Sequence, residues 1–138
     1  MTTQFLVLGG SIFALLGAVH AIYSLMDVRS PRRLAPADLK VAETMKLTGV
    51  RLSRGRTNMW DAWLGFNVSH GLGAVFFGVV CIAAGGYLEA LSLPKPVLLV
   101  PALVGLMYFA LAIRFWFRVP AIGIGVATAF FFAGWLMY

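Results

Sequence analysis

Residues 62–88 read AWLGFNVSHGLGAVFFGVVCIAAGGYL, 27 positions without an Asp, Glu, Lys or Arg. About 20 apolar helical residues are enough to cross the hydrocarbon core of a bilayer. Working outward, three more stretches of the same kind appear at 5–26, 96–113 and 119–138. Together they identify the solvent as lipid, where the backbone must satisfy its own hydrogen bonds and only helices or a closed barrel can do so. The expected fold is all-α: a four-transmembrane-helix bundle forming one integral-membrane domain over 1–138. The helices are expected near 4–27, 58–87, 95–117 and 120–138.

Composition agrees. Charged residues make up 12% of the chain, against roughly 25% in a soluble domain, and no room is left for a separate aqueous domain. The net charge of +6 does not point to nucleic acid, because the cations flank apolar spans rather than forming a basic reading face in water. They are read instead as orientation signals and headgroup contacts. The lone Cys81 lies within a span, forms no intrachain disulfide and packs as a small apolar residue. The start, Met1-Thr2-Thr3-Gln4, lacks the cations of a signal peptide, so the first apolar run is read as a retained anchor.

Charge also orients the spans. The segment 28–57 holds eight cations, Arg29, Arg32, Arg33, Lys40, Lys46, Arg51, Arg54 and Arg56. A second basic connection runs from Arg114 to Arg118, whereas the connection between the second and third spans has only Glu89 and Lys95. By the positive-inside rule the two basic connections face the cytoplasm and both termini lie outside (N-out/C-out). Within 28–57, Pro36 opens a short helix at its first position. Leu39, Ala42 and Met45 recur at helical spacing, which predicts an interfacial amphipathic helix lying on the headgroups. Gly49 to Gly55 reads as irregular chain. Asn58 caps the second span with Asp61 three residues on, Pro94 and Pro96 open the third, and Pro120 opens the fourth. Trp60, Trp63, Trp135 and Tyr138 suit the membrane interfaces.

Small residues recur at helical spacing: Gly10, Ala14, Gly17, Ala21 and Ser24 in the first span, Gly65, Ser69 and Gly73 in the second, Gly123 and Ala127 in the fourth. Such stripes let helix backbones approach closely in lipid. Against this background the polar residues stand out, because polar groups inside a span are costly and often functional. His20 lies roughly 10 Å along the helix from Asp27, and Asn67 lies at nearly the same depth from the same side, with His70 one turn deeper. At about 100° per residue, His20, Ser24 and Asp27 share a face of the first span, with Tyr23 close by. Trp60, Trp63, Asn67 and His70 share a face of the second. The ligand-binding candidates are therefore His20, Tyr23, Ser24, Asn67, His70 and, from the third span, Tyr108. Asp27, Asp61 and Arg114 are candidates for a charge pair at the membrane edge, with simple capping as the plainer role of Asp61.

The string Met59-Trp60-Asp61-Ala62-Trp63-Leu64-Gly65-Phe66-Asn67-Val68-Ser69-His70-Gly71-Leu72-Gly73, with Gly17-Ala18-Val19-His20 upstream, resembles a group of uncharacterised small four-span bacterial membrane proteins. The likeness covers the whole chain in layout and the first two helices by motif. It implies a bacterial inner (plasma) membrane location and carries no activity. In layout alone the chain is also similar to the MAPEG superfamily of membrane-associated eicosanoid and glutathione enzymes, basic four-helix proteins with a long cytoplasmic first connection that assemble as trimers. Their second helix holds glutathione through Arg, Asn and Glu. Arg56 and Asn67 are present here, but no Glu follows Asn67 in the span.

These readings favour a binding or accessory role, with a His/Asn cluster that binds a lipid-soluble molecule or a partner subunit in a homo-oligomer or larger membrane complex. The alternatives are a small membrane enzyme, MAPEG-like or using His20 or His70 as acid and base toward an apolar substrate, and a bundle holding a b-type haem between His20 and His70. Two histidines without a Cys, Asp or Glu at the same depth fall short of a structural metal-ligand set. The two leading hypotheses differ in geometry. A ligand pocket needs a cavity lined by His20, Asn67 and His70, while an accessory subunit packs those groups and leaves a small-residue face such as Gly65/Ser69/Gly73 open.

Overall fold

The structure, a computed structural model, describes the chain from Met1 to Tyr138 apart from the side chains of Glu89 and Leu91. The expected connection charge Glu89 therefore lies outside the described residues. The chain is helical, with no strand among the described residues and one isolated bridge between Gly49 and Asn58. Its elements are α1 (Thr2–Arg29), α2 (Leu39–Leu47), α3 (Met59–Gly86), α4 (Leu88–Leu91), α5 (Leu99–Phe115) and α6 (Arg118–Leu136). Four helices are long and apolar enough to cross a membrane: Thr2–Arg29, Met59–Gly86, Lys95–Phe115 and Arg118–Leu136. α1 and α3 each hold 28 residues, about 42 Å of helix, which exceeds the roughly 30 Å of hydrocarbon. Their outward faces carry exposed Leu15, Phe66 and Phe76. Apolar surface of that extent is a hazard in water and an ordinary contact in lipid.

Helix ends follow local chemistry. α3 starts on a reciprocal cap: Asn58 Oδ1 accepts from the Asp61 amide at 2.8 Å, and Asn58 Nδ2 donates to Asp61 Oδ2 at 2.9 Å. α2 starts at Leu39 rather than at Pro36, because Asp38 caps it by accepting from the Lys40 amide at 2.8 Å. The third span opens as a 3₁₀ turn over Lys95–Leu98, and Pro101 then falls on the third residue of α5, where no helical hydrogen bond is due. For the same reason α6 begins at Arg118, two residues before Pro120. Trp116 and Phe117 are extended and separate α5 from α6. The stretch expected to be irregular closes into a small loop. Val50 donates to the Thr57 carbonyl and Met59 to the Thr48 carbonyl, both at 2.8 Å. Arg54 and Gly55 reverse the chain with φ of 52° and 83°.

By contacts the chain sorts into two compact units, Met1–Leu16 with Ala74–Tyr138, and Gly17–Gly73. In the first, Phe13 is buried and meets the rings of Phe77, Tyr108 and Phe131 at 4.9, 5.6 and 6.0 Å. Here α1 and α3 touch backbone to backbone. A Cβ on Gly10 would stand 2.6 Å from the Gly78 carbonyl oxygen, and one on Gly78 would strike Gly10 and Ala14. Gly85 meets Leu6 and Thr3 in the same way, and α6 brings Gly134 against Phe5 and Ala127, fully buried, near Gly9.

In the second unit, Gly71 lies against Ala21 and the Gly17 carbonyl. A separate cluster joins Ala42 of α2 to Trp60 and Leu64 of α3, with Met45, Trp63 and Ala35 around it. Two of the three residues expected to lie on headgroups, Ala42 and Met45, thus face α3, and Leu39 is the exposed one.

The packing stripe of α3 differs from the one expected. Gly71, Ala74, Gly78, Cys81 and Gly85 face neighbouring helices, whereas a Cβ on Gly65 or Gly73 would meet nothing within 4 Å. The α1 stripe of Gly10, Ala14, Gly17 and Ala21 is used as expected. Gly78→Leu should therefore lower stability by about 1–3 kcal/mol through overpacking, while Gly73→Leu should change it by less than about 0.5 kcal/mol. Reversible unfolding in mixed micelles titrated with denaturing detergent measures both.

Candidate functional site

The second unit brings together His20 of α1 and Asn67 and His70 of α3. Asn67 Nδ2 donates to the carbonyl of Trp63 at 2.8 Å, one turn back on its own helix. This turns Oδ1 outward from the helix axis, where it lies 3.1 Å from His20 Nε2. A carbonyl oxygen only accepts, so His20 carries its proton on Nε2 in this arrangement. The His70 ring lies edge-on to His20, with centroids 5.4 Å apart and planes at 74°, and stacks on Phe66 at 6.0 Å. All three polar residues are half-buried. The close α1–α3 approach at Gly71 is what puts the imidazole and the amide within reach of one another.

The other candidates lie elsewhere. Ser24 is fully buried, but its hydroxyl donates back to the His20 carbonyl at 2.8 Å. Tyr23 faces outward, with the Arg33 guanidinium over its ring at 5.0 Å. Tyr108 belongs to the first unit, where its ring meets Phe13 edge-on. In that unit Arg114 lies over the ring of Phe115 at 5.1 Å. Asp61 is exposed and engaged in the cap of α3.

Asp27 does something the sequence reading did not anticipate. Its side chain is fully buried and accepts four backbone hydrogen bonds: from Arg32 and Arg33 on Oδ1 at 2.9 Å each, and from Leu34 and Ala35 on Oδ2 at 2.7 and 2.9 Å. Successive amides wrapped around an anion form a backbone nest. Pro31 and Pro36, which lack an amide hydrogen, bracket the four donors. That pattern was the available signal: an acid at a helix end followed by a short run of non-proline residues between two prolines.

The chemistry open to the histidine pair is limited by its geometry. The two rings stand edge-on 5.4 Å apart, and Nε2 of His20 is directed at Asn67 Oδ1. Among the described residues no group of three or more His, Cys, Asp or Glu gathers as metal ligands. Two shallow cavities of about 320 and 330 Å³ are lined by other residues, one by Lys40, Val41, Thr44, Met45, Thr48 and Met59, the other by Met1, Thr2, Thr3, Leu88, Ser92 and Tyr138.

Two outcomes follow. A double-mutant cycle of His20→Ala and Asn67→Ala should give a coupling of about 0.5–1.7 kcal/mol, the range of interhelical hydrogen bonds in lipid, read from unfolding in mixed micelles. Asp27→Ala should cost about 2–4 kcal/mol, because it leaves four amides without their acceptor. The loosened turn should be cut after Arg29, Arg32 or Arg33 by trypsin faster than in the wild type. A scan against protein-family models, a search of curated proteins and a search of solved structures each found no match to this chain.

Proposed function

We infer that this chain is a small multi-pass protein of the bacterial inner membrane with a binding or accessory role, docking through α3 to another transmembrane helix. The observation that carries this reading is the inward closure of the polar groups. His20 is bonded to Asn67, Asn67 is anchored on Trp63, and Ser24 is tied to its own helix. Groups committed to one another hold helices together, whereas a catalytic acid or base must reach a substrate proton. The cluster serves as glue between α1 and α3, and the outer face of α3 serves as the contact.

On that face Gly65 and Gly73 have open space above them, and Ser69 lies exposed between them with its hydroxyl turned back to the Phe66 carbonyl. Phe66 stands exposed beside the stripe. Small residues at four-residue spacing let a second helix approach to backbone contact, and a flanking ring supplies area that holds it. The basic segment 28–57 then faces the cytoplasm, with both termini on the other side.

The test is a migration experiment in mild detergent on the chain expressed in bacterial membranes. The wild type should run as part of a larger species, formed by a second copy or by another membrane protein. Gly65→Leu/Gly73→Leu should shift it to the monomer with unfolding unchanged. A wild type that runs as a monomer, or a double variant that still migrates with the larger species, would sink the accessory reading.

A further inference from the structure

We propose that the turn following α1 is a binding site for the phosphate of an anionic phospholipid headgroup, formed by Arg29, Arg32 and Arg33. These cations have no carboxylate partner: the single ion pair among the described residues joins Lys46 to Glu43. The nearest acid in sequence, Asp27, is buried and gives both oxygens to backbone amides. Three cations stand against that one anion, so the turn keeps a net charge of +2. All three arginines are exposed.

The turn is also built. Because Asp27 holds the amides of Arg32 and Arg33 themselves, the backbone that bears these side chains is fixed rather than free to wander. Ordering a flexible loop opposes binding, and here that ordering is already done within the protein. The guanidinium is the group suited to this ligand, since its planar fork matches two phosphate oxygens at once.

Position selects a lipid over a phosphate from solution. Leu25, Met26 and Val28 are exposed apolar residues that reach up to Arg29. The Arg33 guanidinium folds back over Tyr23, four residues before Asp27 and about 6 Å along the helix, at 5.0 Å from its ring. An amphiphile with an anionic head and acyl chains matches a basic turn directly above an apolar collar. Basic groups just outside a span attract anionic lipid in this way.

The full chain is reconstituted in nanodiscs of phosphatidylcholine and phosphatidylglycerol, extracted in mild detergent, and its retained lipids counted by native mass spectrometry. The wild type should retain phosphatidylglycerol in preference. Arg32→Gln/Arg33→Gln should reduce that preference by about 25-fold, at about fivefold per cation. Arg29→Gln alone should reduce it about fivefold. Arg54→Gln/Arg56→Gln removes the same charge from the same connecting segment and should reduce it less than about twofold. Both double variants leave the backbone donors to Asp27 in place. Equal losses in the two doubles would mean diffuse attraction and overturn the site, as would a wild type without preference. Displacement of the lipid by millimolar inorganic phosphate would assign the turn to free phosphate and overturn the lipid reading.

Discussion

Helix backbones in lipid come together only where side chains step aside. At Gly10 and Gly78, and again at Gly71 against Gly17 and Ala21, the distance between α1 and α3 is that of backbone on backbone. There is no hydrophobic drive between helices in a bilayer, so van der Waals contact at these points and the interhelical hydrogen bond supply the association. The rest of each unit is arranged around such contacts. In the first, Phe13, Phe77 and Phe131 fill the volume beside the glycine contact. In the second, the contact brings an imidazole and a carboxamide close enough for a hydrogen bond.

Polar groups in this chain are handled close to home. Ser24 and Thr128 return their hydroxyls to carbonyls four residues back, at 2.8 and 2.7 Å. Asn67 does the same with its amide hydrogens and keeps one oxygen for His20. Asp27 reaches at most eight residues ahead. No buried side-chain nitrogen or oxygen among the described residues lacks a partner. Satisfying polar groups locally limits the cost of placing them in hydrocarbon, and it leaves most of the outer surface apolar.

The spans were legible because they rest on a one-dimensional signal, the absence of charge over a helix length. The meeting of His20 and Asn67 was legible for a related reason: position along a helix is arithmetic, and each residue is counted from an acid that borders the connection between the first two long helices. Which small residues face inward was harder. Gly65, Ser69 and Gly73 share a stripe as regular as Gly71, Ala74, Gly78, Cys81 and Gly85, and hydropathy does not separate them because lipid and protein interior are equally apolar. A sequence shows the charge of Asp27 and so suggests a side-chain partner, whereas its partners are main-chain amides that every residue but proline carries. The apolar stripe of α2 is visible in its own spacing, but nothing in that spacing reveals that Trp60 and Leu64 of α3 cover Ala42.

The nest around Asp27 separates the shape of the turn from the identity of its residues. One acid reads four amide hydrogens and no side chain, so at the exposed positions 32 and 33 the geometry survives exchange for anything that retains an N–H. The turn can therefore gain or lose its arginines at 32 and 33 without a new backbone. Proline is barred from all four donor positions, and the two prolines already present stand immediately outside them.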